Sequence, residues 1–155
     1  MSFDSKPDPK MIWRYLRPAV ERLEALIRDK IRSRVGFTID PVTARLIDRD
    51  CNSWAVSIGG HERKFTEEPS RGALLYDIAK KLLAIVVSDF PLYFGGWPQG
   101  GCYYLDLSRL ISNRKEAVDF AMANGQVAIF HLRTGKTLYL PPVPPRDQPE
   151  PALSP

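Results

Sequence analysis

The sequence predicts an α+β domain, with helices packed on a mostly antiparallel sheet, followed by a proline-rich tail. Three observations point there. Apolar residues recur at helical spacing in two long segments, near residues 10–34 and 71–88. Short extended runs between Gly, Asn and Asp signals read as strands joined by turns. The last ordered unit reads strand, helix, strand, turn, strand, which suits an antiparallel or mixed sheet with helices on one face.

The elements follow in order. Residues 1–9 contain Pro7 and Pro9 and are expected to be disordered. A helix is expected over Lys10–Arg34. Ile12, Leu16, Ala19, Leu23, Leu26, Ile27 and Ile31 fall on one face at steps of three and four. Pro18 either opens this helix or bends it, and Gly36 is placed to end it. Phe37 and Ile39 alternate, Asp40-Pro41 marks a turn, and Ala44–Ile47 is a short extended piece. After the polar stretch Asp48–Ser53, Trp54–Ile58 reads as a strand, and Gly59-Gly60 as a hairpin turn into His61–Phe65.

Pro69-Ser70 opens a second helix over Arg71–Ser88. Leu74, Leu75, Ile78, Leu82, Ile85 and Val86 form its core side; Tyr76, Asp77, Lys80 and Lys81 are assigned to the other. Leu92–Phe94 is a strand into a glycine-rich hairpin loop, and Cys102–Leu107 a strand out of it. Asn113 and Glu116 have the spacing of a capping box before a short helix through Ala117, Phe120 and Ala121, closed by Asn124-Gly125. Gln126–Arg133 and Lys136–Leu140 are strands about a Thr134-Gly135 turn. The expected organisation is a single domain over residues 10–140, with a disordered tail over 141–155. That tail carries seven prolines.

Composition narrows function. A chain of 155 residues, 44 % hydrophobic and 26 % charged, suits one soluble domain. No apolar run approaches the roughly 20 residues of a membrane helix, and the start, MSFDSKPDPK, lacks the apolar stretch of a secretory signal, so a cytoplasmic protein is expected. Two distant cysteines and two histidines offer no close ligand pair, so neither metal nor cofactor is expected. The net charge is +4, and eight Lys/Arg against three acids between Lys10 and Arg34 supply it.

Three constellations suggest chemistry. The stretch FGGWPQGG lacks a following helix or Lys-Ser/Thr, so it does not read as a phosphate loop. Its Trp97, between Gly and Pro at a loop tip, suits a partner contact, with Phe94, Gln99 and Tyr103 around it. Cys102 as nucleophile, His131 as base and Asp106 as orienter would make a hydrolase or transferase. Against this, Cys102 begins a strand, whereas activated thiols favour helix N-termini or cations. Arg14, Arg17, Arg28 and Arg32 form a basic helix face suited to nucleic acid, but Glu21, Glu24 and Asp29 interleave with them. In the tail, PPVPPR fits the P-x-x-P-x-R pattern of polyproline ligands.

The succession GFTIDP, AVSIGGHE, FGGW, YYLDLS, RKEAVDFA and QVAIFHL resembles a small module of bacterial and phage mobile-element proteins, over about Gly36–Leu140. The resemblance implies a prokaryotic or phage setting, in which small α+β proteins often bind or inhibit other proteins, and it assigns no catalytic residue. The expected function is therefore a non-catalytic protein-binding module, with an inhibitor or immunity-type protein as one form of it. A Cys102/His131 enzyme and a nucleic-acid-binding helix are the alternatives.

Overall fold

A computed structural model describes residues 9–47 and 49–142. The chain order is α1 (Pro9–Ser33), β1 (Phe37–Asp40), β2 (Arg45–Leu46), β3 (Trp54–Ser57), β4 (Arg63–Phe65), α2 (Arg71–Val86), β5 (Tyr93–Gln99), β6 (Cys102–Ile111), α3 (Arg114–Ala123), β7 (Ala128–His131) and β8 (Lys136–Tyr139). The expected α+β class holds, with three helices and an antiparallel sheet of eight strands among the described residues. The proline-rich tail beyond Pro142, with most of PPVPPR, and residues 1–8 lie outside the described residues.

Local signals set the helix boundaries. Pro18 lies inside α1, which continues through it. The Ser70 hydroxyl accepts from the Ala73 N–H and caps α2; the Asn113 side chain accepts from the Glu116 N–H and caps α3. Gly125 takes a positive φ of 66° just after α3, as a helix end favours.

The sheet order is β2-β1-β5-β6-β3-β7-β8, with β4 also on β6. Strand β6 is the spine. One edge pairs with β5 from Tyr93↔Ser108 to Gln99↔Cys102. The other edge is shared: β3 pairs with Ser108–Ile111, β4 with Tyr103–Leu105. Thus β3 and β4 do not form the hairpin expected at Gly59-Gly60. Both glycines have a φ of 73°, and they carry the chain along β6 from one pairing segment to the next.

Strand alternation divides the sheet into two faces. Phe37, Ile39, Phe94, Tyr103, Leu105, Leu107 and Phe65 share one face and pack with Val20, Leu23, Ile27 and Ile31 of α1 and Leu74 and Ile78 of α2. Val56, Ile111 and Ile129, on the same face, pack with Ala117 and Ala121 of α3. Arg109 bridges the two clusters, its guanidinium 4.6 Å from the Phe90 ring centre and 5.2 Å from that of Phe120. All three helices therefore lie on one face.

Two assignments change. Asp77 and Lys81, expected on the outer side of α2, are buried and form an ion pair of 2.6 Å. A one-turn spacing puts them on one helix face, and this face turns toward the core. The glycine-rich hairpin loop is also much shorter than expected. Strand β5 runs through Gly95, Gly96, Trp97 and Pro98, leaving only Gly100 and Gly101, both at positive φ, as the turn. Gly95 and Gly96 serve packing instead. A Cβ on Gly96 would lie 2.4 Å from Phe37 Cε1 and 3.1 Å from Leu105 Cδ2. Gly96→Ala is expected to cost about 1–3 kcal/mol by overpacking. Chemical unfolding checks this, and a variant as stable as wild type would refute it.

Candidate functional surface on the helix-free sheet face

Residues alternate with the core positions to build the opposite face: Tyr93, Gly95 and Trp97 from β5, then Cys102, Tyr104, Asp106 and Ser108 from β6, with Lys64 from β4 and Ser57 from β3. Among the described residues no helix covers it. Trp97 and Tyr104 are cross-strand partners, and their rings stack with centres 5.8 Å apart and planes 13° apart. Lys64 is the β4 partner of Tyr104, and its Nζ lies 5.9 Å from that ring centre. The Cys102 thiol first, then Tyr104, push the Lys64 ammonium above its ordinary pKa. Trp97, Tyr104 and Cys102, each half-buried, and the exposed Lys64 thus form one cluster beside the β5–β6 turn, with Gln99 exposed at its rim.

At the centre of the face Asp106 is completely buried. Gly95 opposite it makes this possible, because a Cβ there would stand 2.3 Å from Asp106 Oδ1. The Ser108 hydroxyl donates to Oδ1 at 3.3 Å, while Oδ2 has no hydrogen-bond partner. Burial pushes the carboxyl up to about 6; hydrogen bonds from Ser57 and Ser108 oppose this, Glu62 adds to it, and Lys81 opposes it. The far end of the face is the Tyr93 end. There the connection from β2 to β3 brings Cys51 near Tyr93, whose pKa is raised by burial, then by Asp40 and Cys51.

The structure redistributes the residues that the sequence put forward. Phe94 and Tyr103 point to the helix-covered face and are 1 % and 2 % exposed, so neither is open to a partner; strand parity separates them from Trp97. The Tyr103 hydroxyl donates to the Val35 carbonyl, and burial raises its pKa. Trp97 is in a strand and stacked, not at a loop tip.

Cys102, Asp106 and His131 do not converge. His131 pairs with Trp54, which pairs with Ile111 at the opposite end of β6 from Cys102, about 30 Å away at strand rise. His131 also lies on the helix side, its ring edge-on to Trp54 at 4.7 Å and its Nδ1 accepting from the Thr134 N–H. A shared site for these three is excluded by register.

The basic face of α1 is largely engaged. Arg28 bonds Glu24, Glu68 and the Pro69 carbonyl, Arg32 bonds Glu68, and Arg17 bonds Glu21; Arg14 is exposed. The bonds to Glu68 and Pro69 tie α1 to the segment before α2.

Lys64 and Tyr104 escaped the sequence reading, although a signal existed. In CYYLDLS the core residues alternate with Cys102, Tyr104, Asp106 and Ser108, the period of a strand with two unlike faces. Among the described residues no three His, Cys, Asp or Glu side chains gather to hold a metal ion, and no helix is long and apolar enough to cross a membrane. No family model, curated protein or solved structure matches this chain.

Proposed function

We propose that the chain is a non-catalytic protein-binding module that holds its partner against the Trp97–Tyr104–Lys64 part of the helix-free face. The observation that carries this reading is the stacked, half-exposed Trp97–Tyr104 pair beside a cation on a sheet face without a helix. Tryptophan and tyrosine are frequent binding anchors because they offer large rigid area at little entropy cost. An inhibitor or immunity-type role in a phage or mobile element is the setting that the sequence resemblance suggests, and the apolar pattern of the sequence suits the cytoplasm.

The experiment is affinity purification from the native host, followed by titration of the partner so obtained. Trp97→Ala should weaken binding by about 30-fold, the loss of an anchor worth roughly 2 kcal/mol. Circular dichroism should show an unchanged fold, since Trp97 lies outside both hydrophobic clusters. Unchanged affinity of the folded variant would sink the reading.

A further inference from the structure

The outer side of α2 is apolar from Tyr76 to Val87. Tyr76, Leu83, Val86 and Val87 are between 62 % and 81 % exposed. Tyr76, Lys80, Leu83 and Val87 follow steps of four, three and four, so they form one stripe on the side away from the buried Leu74, Ile78 and Lys81. Ala79 and Ala84 flank the stripe, leaving room for a second helix axis at about 8–10 Å. The neighbouring helix differs: the exposed positions of α1 include Arg17, Arg22, Asp29 and Arg32. A helix that is apolar on all sides belongs inside a core, and only one side of α2 lies in this core.

A second copy of the chain fits this stripe, and Lys80 sets the direction of the pairing. Parallel helices would bring the two Lys80 side chains together. Antiparallel helices overlapping over the full stripe set Tyr76 level with Val87 of the second copy, and Lys80 level with its Leu83. Lys80 Nζ lies 5.6 Å from the Tyr76 ring centre, so the ammonium sits back at the level of Tyr76. The two ammonium groups are then separated by the rise from 76 to 87, about 16 Å. That exceeds the roughly 8 Å over which physiological salt screens charge. Each ammonium meets instead the last turn of the other α2. This turn has no basic residue of its own, and its carbonyl end favours a cation. A stripe about 16 Å long and one helix wide falls short of the roughly 800 Å² per partner of a standard interface, so the contact is weak and reversible.

We propose that the chain forms a two-fold dimer through antiparallel α2 helices, with Lys80 of each copy against the α2 C-terminus of the other. The dimer goes beyond the reading of the Trp97–Tyr104 face and does not rest on it. That face lies on the other side of the sheet from α2, so both copies keep it open and the dimer can hold two partner molecules at once.

Sedimentation equilibrium of the full chain up to about 500 μM tests this, with half-dissociation expected on the order of 100 μM for an interface of this size. Val87→Lys adds a favourable cation to the last turn of the monomer but sets it against Lys80 of the second copy, and should weaken the dimer more than about tenfold. Adding Lys80→Glu to Val87→Lys should restore association to within about threefold of wild type, because each glutamate then faces a lysine of the other copy. Both positions are exposed, and circular dichroism checks that the variants fold. Trp97→Ala should leave association unchanged. A wild-type chain that stays monomeric throughout overturns the proposal, and so does a dimer indifferent to Val87→Lys. A double variant as monomeric as Val87→Lys overturns the antiparallel register and the proposal with it. A dimer lost in Trp97→Ala would place the contact on the sheet face instead. A chain that stays monomeric yet binds phosphatidylcholine vesicles through Leu83 and Val87 would give the stripe to a membrane surface and not to a second copy.

Discussion

Asp77→Ala is expected to lower unfolding free energy by about 3–5 kcal/mol, the usual result of leaving one member of a buried ion pair alone. Lys81 Nζ lies 2.6 Å from Asp77 Oδ2, and both residues are under 10 % exposed. Burial already lowers the Lys81 pKa, and the hydrogen bond that Lys81 donates to Asp77 opposes that shift. Without Asp77 the ammonium loses its main compensation. The variant should gain stability as pH rises toward 10.5, because the unfolded chain then holds a proton that folded Lys81 has lost. The double substitution Asp77→Leu with Lys81→Leu should recover most of the loss, since an apolar pair often replaces a buried ion pair at little cost. Urea unfolding of the single and double variants measures both effects. A single variant within 1 kcal/mol of wild type, about the worth of an exposed pair, would show that the pair is solvated.

Asp106→Asn is expected to stabilise the protein at neutral pH. The folded carboxyl titrates at about 6 against 3.8 for its ordinary value. Between these pH values the folded state keeps a proton that the unfolded state has released. Stability contributed by this group is thus present below about pH 4 and falls as pH rises through 6. At about 1.36 kcal/mol per tenfold change in proton affinity, the loss at pH 7 is about 3 kcal/mol. Asparagine keeps the shape and stays neutral at every pH of this range. The two proteins should be equally stable near pH 4 and diverge to about 3 kcal/mol by pH 7, asparagine ahead. Denaturant titrations across that range give the difference directly. A difference that is flat with pH means that Asp106 has an ordinary carboxyl.

The two buried acids expose the limit of reading polar residues as surface. Asp77 follows the helical pattern of an outer face only if polarity is taken as proof of exposure. Its partner four residues on, Lys81, makes burial possible, and i,i+4 spacing is common to exposed and buried pairs alike. Asp106 sits in the strand pattern at a position alternate to Leu105 and Leu107, which correctly predicts the face opposite the helices. Its burial there depends on Gly95, more than ten residues earlier, leaving the space its carboxylate fills. The glycines of FGGWPQGG carry two different requirements. Gly100 and Gly101 answer to backbone torsion, a local property, while Gly95 and Gly96 answer to neighbours on other strands.

By itself the sequence determined the helices, their caps, most strands and the α+β class, because hydrophobic period, capping and positive-φ glycines act within a few residues. It also placed Trp97 among the residues worth testing. Only the tertiary structure decided which of its neighbours share its face. Strand pairing turns Phe94 and Tyr103 into the core and brings Tyr104 and Lys64 to Trp97. It also holds Cys102 and His131 at opposite ends of β6, on opposite faces. The reason is that side chains alternate across a strand, so one residue of register decides which face a group occupies, and register between distant segments is fixed by packing.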